Sequence, residues 1–277
     1  MSCKTFISCF FVLICLFAKS QNYYDAVHTK QFADFLFNTN QYNYAAQEYE
    51  RLTFMQPQND SAKLMLLKSY KLDKNYSLAI ERLNGFFKLT PDSFPINFAK
   101  EYIELQIDNN NFSEAYKFAS VNKTFSTGQK DEYKLLLLLL QQKWNDSYTY
   151  MITHKGSTDI KYANLLILAN DAKNLNYKSP LLAGSLSAII PGAGKFYTKN
   201  WRDGLLSFVI VGANFYQAYR GFERAGSKSA YGWIYLSLGT GFYLGNIFGS
   251  VKAAKTHNQK MDELQHQKIV DFYNANY

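Results

Sequence analysis

Four histidines, three cysteines and a Gly-Lys dipeptide are the residues of this chain that invite a chemical reading. His28, His154, His257 and His266 never fall at the i, i+4 spacing that sets two imidazoles on one helix face for zinc. Cys3, Cys9 and Cys15 all lie in the first fifteen residues. That stretch reads as an export signal, so the mature chain is expected to carry no thiol. Disulfides, thiolate metal sites and cysteine nucleophiles go with it. Gly194-Lys195 suggests the end of a phosphate-binding loop, but the earlier glycine of that motif is missing. Phe196 also stands where a Ser or Thr must hold magnesium. No glycine-flanked serine makes a nucleophile elbow. The carboxylates of Asp131-Glu132 and Asp262-Glu263 read as solvated helix faces. We therefore expect no catalytic residue, no metal and no cofactor, and a chain that is not an enzyme. Asn214 and Asn246 sit inside apolar stretches without an ionisable companion. That favours a hydrogen bond between helices over an ion or substrate path.

The elements that would position such residues begin with a leader. Lys4 precedes an apolar run from Phe6 to Phe17, and Ala18-Lys19-Ser20 has small residues at both ends. This pattern predicts a cleaved signal over residues 1–20 and a mature start at Gln21. The run is too short to span a bilayer, which takes roughly 20 residues. Removal of Lys4 and Lys19 lowers the formal charge from +8 to +6. The remaining basic residues are scattered. That argues against nucleic acid and suits contact with anionic lipid headgroups.

From residue 21 to 176 apolar residues recur at three and four, a helical period. Three segments repeat: Asn40-Gln-Tyr42-Asn-Tyr-Ala45, Lys74-Asn-Tyr76-Ser-Leu-Ala79 and Asn110-Asn-Phe112-Ser-Glu-Ala115. Their alanines lie 34 and then 36 residues apart, and Pro57 and Pro91 each follow twelve residues after an alanine. Lys143-Trp144 begins a weaker fourth copy. The alanine lets two helices approach, the aromatic fills the turn, and the proline ends the second helix. This period resembles the tetratricopeptide repeat, although the tryptophan and glycine usual in its first helix are absent. The resemblance implies an α-solenoid whose concave groove binds a protein or peptide. Tyr42, Tyr76 and Phe112 are expected to be core, and Leu135 to Leu140 to lie in a buried helix.

Residues 177–256 have a different texture. Charge-free blocks run over Ser179–Gly194, Gly204–Tyr219 and Ser229–Val251, with 16, 16 and 23 residues. At roughly 1.5 Å per residue, only the third matches a hydrocarbon core of roughly 30 Å unaided. The first two need snorkelling Lys and Arg, or one is re-entrant. Gly241, Gly245 and Gly249 share one helical face and predict close helix contact. Pro191, Gly192, Gly194 and Gly204 predict a chain turn. Lys195, Lys199 and Arg202 would sit at the headgroups, with Tyr197 and Trp201 in the interfacial belt. Each gap between blocks holds three basic residues, so charge does not fix the orientation. Three crossings would place the tail, 257–277, opposite the repeat, and two crossings with a re-entrant segment beside it.

Pro191-Gly-Ala-Gly194 with Tyr197, Gly204 and the later Gly245-Asn246-Ile-Phe-Gly249 resembles a membrane module of exported bacterial proteins, and more distantly the TM2-type hairpin. That family often has glutamine where Lys195 stands. The resemblance implies location rather than activity. The expected fold is all-α: a tetratricopeptide-like α-solenoid followed by a small transmembrane helical hairpin bundle. The expected role is a membrane-anchored, protein-binding adaptor in the bacterial inner membrane, with its repeat in the periplasm. The alternative is an accessory subunit of a membrane transport or protein-insertion system.

Overall fold

A computed structural model describes residues 25–87, 93–154 and 160–277. The leader, Gln21 and Pro91 lie outside the described residues, so nothing structural bears on them. The described chain is all-α, as the sequence predicts, and it divides into two compact units between Ser126 and Thr127.

The first unit is three helix pairs: α1 (Ala26–Asn38) with α2 (Tyr42–Met55), α3 (Asp60–Leu72) with α4 (Tyr76–Phe86), and α5 (Ile96–Asp108) with α6 (Phe112–Val121). Side-chain caps start two of them. Asp25 accepts from the His28 amide at 2.8 Å, and Asn59 from the Ala62 amide at 3.1 Å. α2 stops at Met55, two residues before Pro57, which is exposed in the turn that follows. Ala45, Ala79 and Ala115 are completely buried, one per pair, and let the helices close up. Tyr42, Tyr76 and Phe112 are only half-buried, which corrects their reading as core. Tyr42 lies edge-on to Phe37, with ring centroids 5.5 Å apart, and so covers the turn. Polar contacts join successive pairs. Arg82 on α4 meets Glu50 on α2 at 2.5 Å, and Lys71 on α3 meets Glu104 on α5 at 2.5 Å.

Each pair turns the same way. Asn40, Lys74 and Asn110 adopt left-handed φ values of 61°, 62° and 58°. The next residue then donates its amide five residues back: Gln41 to Leu36, Asn75 to Tyr70 and Asn111 to Gln106, at 2.8–2.9 Å. This is the Schellman ending, normally built on glycine. In the second unit Gln142 (φ 56°) and Lys199 (φ 63°) repeat it, each again two residues before an aromatic, Trp144 and Trp201. A side chain at such a φ is strained, so Lys74→Gly is expected to stabilise the protein by about 1 kcal/mol. A thermal midpoint that stays level or falls contradicts this.

The second unit contains α7 (Thr127–Leu140), α8 (Trp144–Thr153), α9 (Ile160–Lys173), α10 (Pro180–Ile189), α11 (Ala193–Tyr197), α12 (Trp201–Ala225) and α13 (Ala230–Asn276). Leu135 to Leu140 are all buried in α7. So are Asp131 and Glu132, which corrects their reading as a solvated face. Asp131 accepts from the Tyr150 hydroxyl at 2.7 Å, and Glu132 from the hydroxyl of Tyr277. Their partners come from distant sequence, so local pattern gave no sign of them.

α13 has 47 residues, about 70 Å at the standard rise. Its first half packs on α10 and α12, and its second half on α7 and α9. The polar segment 257–277 is that second half and not a separate tail. Gln265 donates to the Leu168 carbonyl at 2.9 Å, and Lys161 to the Asn276 carbonyl at 2.7 Å. One uninterrupted helix thus links α7 and α9 to the apolar module.

Candidate functional site

The apolar module is residues 177–256, and its centre is the turn that begins at Pro191. Ser179 caps α10, with Pro180 at the first helical position, where its missing N–H costs nothing. α10 ends at Ile189, and Pro191 and Gly192 reverse the chain. Gly192 sits at φ 90°, and an added Cβ would lie 2.1 Å from the Gly204 carbonyl oxygen. At Gly194 the added carbon would lie 1.9 Å from the Ala183 carbonyl oxygen. At Gly204 it would lie 2.8 Å from the Phe196 ring. Gly192 and Gly194 are required by contact with backbone, and Gly204 by the Phe196 ring and the Gly192 carbonyl packed against it. Tyr197 accepts from the Ser179 amide at 3.1 Å and closes the loop onto the start of α10.

A polar knot fills the middle. Ser187 Oγ lies 2.7 Å from Ser250 Oγ and accepts from the Gly194 amide at 2.9 Å. Ser250 bonds back to the Asn246 carbonyl at 2.9 Å. Asn246 Nδ2 donates to the Ser187 carbonyl at 3.4 Å, a bond between helices as expected, while its Oδ1 has no partner among the described residues. Asn214 does not form such a bond. Its Nδ2 donates within α12, to Ile210 at 2.8 Å.

Around this knot large apolar residues point outward. Leu181 is 80% exposed, Ile189 78% and Phe248 73%. Leu206, Phe208, Val209, Trp233, Ile234 and Phe242 are also exposed. Ser187, Asn246 and Ser250 are at most 4% exposed. Polar side chains thus share the interior of the module with Ala183, Val211 and Ala218, while its largest apolar side chains face outward.

Among the described residues, no helix is long and apolar enough to cross a membrane. That corrects the expectation that Ser229–Val251 spans a bilayer unaided. The block is dense in Gly, Ser, Thr, Tyr and Asn, and these lower its mean hydropathy. α10 is too short, and α12 carries Arg202 and Asp203 at one end and Arg220, Glu223 and Arg224 at the other.

The tandem glycines do not pack as expected either. Gly241 and Gly245 have nothing within 4 Å of an added Cβ, and Gly249 meets only the Lys195 side chain. The contacting face of α13 is Gly232, Gly239, Asn246 and Ser250. Gly232 lies against Phe222 and Gly239 against Asn214 and Phe215. Its seven-residue spacing was available in the sequence. Gly184 and Ser187, which belong to the motif that resembles the membrane module, are contact residues too, and Gly221 and Ser250 are contact residues that sequence reasoning passed over.

The module is fastened to the helices before it. Asp262 on α13 accepts from Trp144 Nε1 at 2.8 Å and from the Tyr177 hydroxyl. Burial, followed by this carboxylate, pushes the Tyr177 phenol up to about 12. Lys178 and Asn258 exchange two hydrogen bonds at 2.7 and 3.0 Å. The connection 174–179 is therefore tied down along its length.

In the first unit the charged cluster is Lys71, Glu101 and Glu104. Lys71 Nζ lies 3.5 Å from Glu101 and 2.5 Å from Glu104. Burial raises the Glu101 pKa against the pull of Lys71. Burial would lower Lys71, but the two carboxylates outweigh it and hold the ammonium above its ordinary value. No group of three or more His, Cys, Asp or Glu able to hold a metal occurs among the described residues. No family model, curated protein or solved structure matches this chain.

Proposed function

We propose that this chain is a membrane-anchored adaptor. Its tetratricopeptide-like repeat, exported to the periplasm, binds a protein or peptide, and residues 177–256 form a helical hairpin bundle embedded in a bacterial inner membrane. The large apolar side chains that face outward around a buried polar knot carry the reading. In water, the exposed Leu181, Ile189, Phe208, Ile234 and Phe248 would be a large unfavourable surface. In lipid the same surface is at home, and the buried Ser187–Ser250–Asn246 knot supplies bonds between helices where no hydrophobic force drives packing. Helix-average hydropathy counts the inward residues and so underrates such a bundle. For the adaptor half, exposed Val27, Phe32 and Phe35 on α1 and Tyr44 and Phe54 on α2 offer an apolar surface to a partner.

The alternative, an accessory of a transport or insertion system, draws support from one feature. Gly241 and Gly245 leave an open face beside the unpartnered Asn246 oxygen, suited to another membrane helix. Affinity capture from native membranes separates the two. The adaptor reading expects the co-purifying protein to be lost when residues 25–126 are deleted and kept when Gly245 is replaced by Leu. The reverse result favours the accessory.

A further inference from the structure

An open cleft of about 720 Å³ lies where α11, the start of α12 and the middle of α13 meet. Five lysines line it: Lys178, Lys195, Lys199, Lys252 and Lys260. Asp203 is its one carboxylate among the described residues, and that group already accepts from Asn200 at 2.6 Å. None of the five lysines makes an ion pair among the described residues. Lys195 donates to the Ser207 hydroxyl at 2.7 Å, and the Lys178 ammonium lies 4.8 Å over the Tyr197 ring. Both contacts are with neutral groups. Gly249 leaves the floor open beside Lys195.

Like charges gathered in a concave site repel, and the protein supplies too few carboxylates to offset them. A multivalent oxyanion answers several ammoniums at once, whereas a single carboxylate answers one or two. We infer that this cleft binds a phosphate group, carried by a lipid headgroup or free in solution. The volume exceeds that of inorganic phosphate and leaves room for the rest of a headgroup. Exposed Leu205 on α12 and Phe248 on α13 stand close in sequence to the cleft residues Asp203 and Gly249, so an acyl chain has an apolar surface to follow. Only the lipid source rests on the membrane reading above. The cleft itself does not.

The test uses the full chain in uncharged detergent. Inorganic phosphate is titrated calorimetrically, and co-flotation is measured with vesicles of phosphatidylcholine alone or with added phosphatidic acid. The cleft variant is Lys252→Gln with Lys260→Gln. The control, Lys255→Gln with Lys268→Gln, removes the same charge from the same helix outside the cleft. Both replace exposed side chains, and equal helicity and melting confirm folding. The cleft variant is expected to lose phosphate affinity, or the preference for phosphatidic acid, by about tenfold, and the control by less than about twofold. Phosphate binding without flotation on any vesicle would uphold the cleft and remove the membrane reading. Equal flotation on both vesicles, without phosphate binding and indifferent to the cleft lysines, would overturn the cleft and leave the membrane reading. Equal losses in both variants would overturn the cleft in favour of diffuse charge.

Discussion

Gly194→Ala is expected to dismantle the apolar module. The new methyl carbon would stand 1.9 Å from the Ala183 carbonyl oxygen and 2.7 Å from Ser187 Oγ. Backbone cannot yield as a flexible side chain does, so α10 and α11 must separate. The Gly194 amide would then lose its bond to Ser187, and the Ser187–Ser250 pair its alignment. We expect a loss of more than about 3 kcal/mol, the upper range for overpacking. Protease resistance of residues 179–277 in native membranes is the readout, and it should fall sharply. Gly241→Ala, which enters open space, should leave resistance unchanged. Equal behaviour of the two variants would contradict the packing described for the turn.

Lys71→Met should be the most damaging single change in the first unit. It leaves Glu101 and Glu104, 5% and 9% exposed, without their cation. Breaking a buried pair from one side costs about 3–5 kcal/mol, and the exposure of Lys71 places this case near the lower figure. Two pH effects follow. The Lys71 ammonium is held above its ordinary value of 10.5, so its stabilisation is complete below that value. It is lost as pH rises through the raised one. Glu101 is raised above 4.5, so its charge opposes folding above the raised value. Lowering the pH towards 4.5 removes that opposition. The Lys71→Met defect should therefore shrink in acid, because the uncovered Glu101 takes a proton. Thermal melting at neutral and mildly acidic pH measures this, and a defect that does not depend on pH would argue against a charge mechanism.

The helical character and the helix-pair alanines were legible because both are local. Ala45, Ala79 and Ala115 recur at a spacing that only a repeated packing position explains. The Pro191–Gly204 turn was legible because a proline followed by glycines ends a helix and turns the chain, which is a local property. The left-handed turns at Asn40, Lys74, Asn110, Gln142 and Lys199 were not, because none is a glycine. A spacing such as Gly241-x-x-x-Gly245 states which residues share a helix face. It does not state what that face meets, and here no described residue comes within 4 Å of a Cβ added at either glycine. The anchoring role of Asp262 depends on Trp144, which lies 118 residues away. Tertiary structure alone brings such partners together.

Alkaline carbonate washing of native membranes decides whether the module inserts into the bilayer. The full chain is expected to stay in the membrane pellet and a fragment ending at residue 126 to be released. Release of the full chain into the supernatant, with peripheral proteins, would contradict insertion.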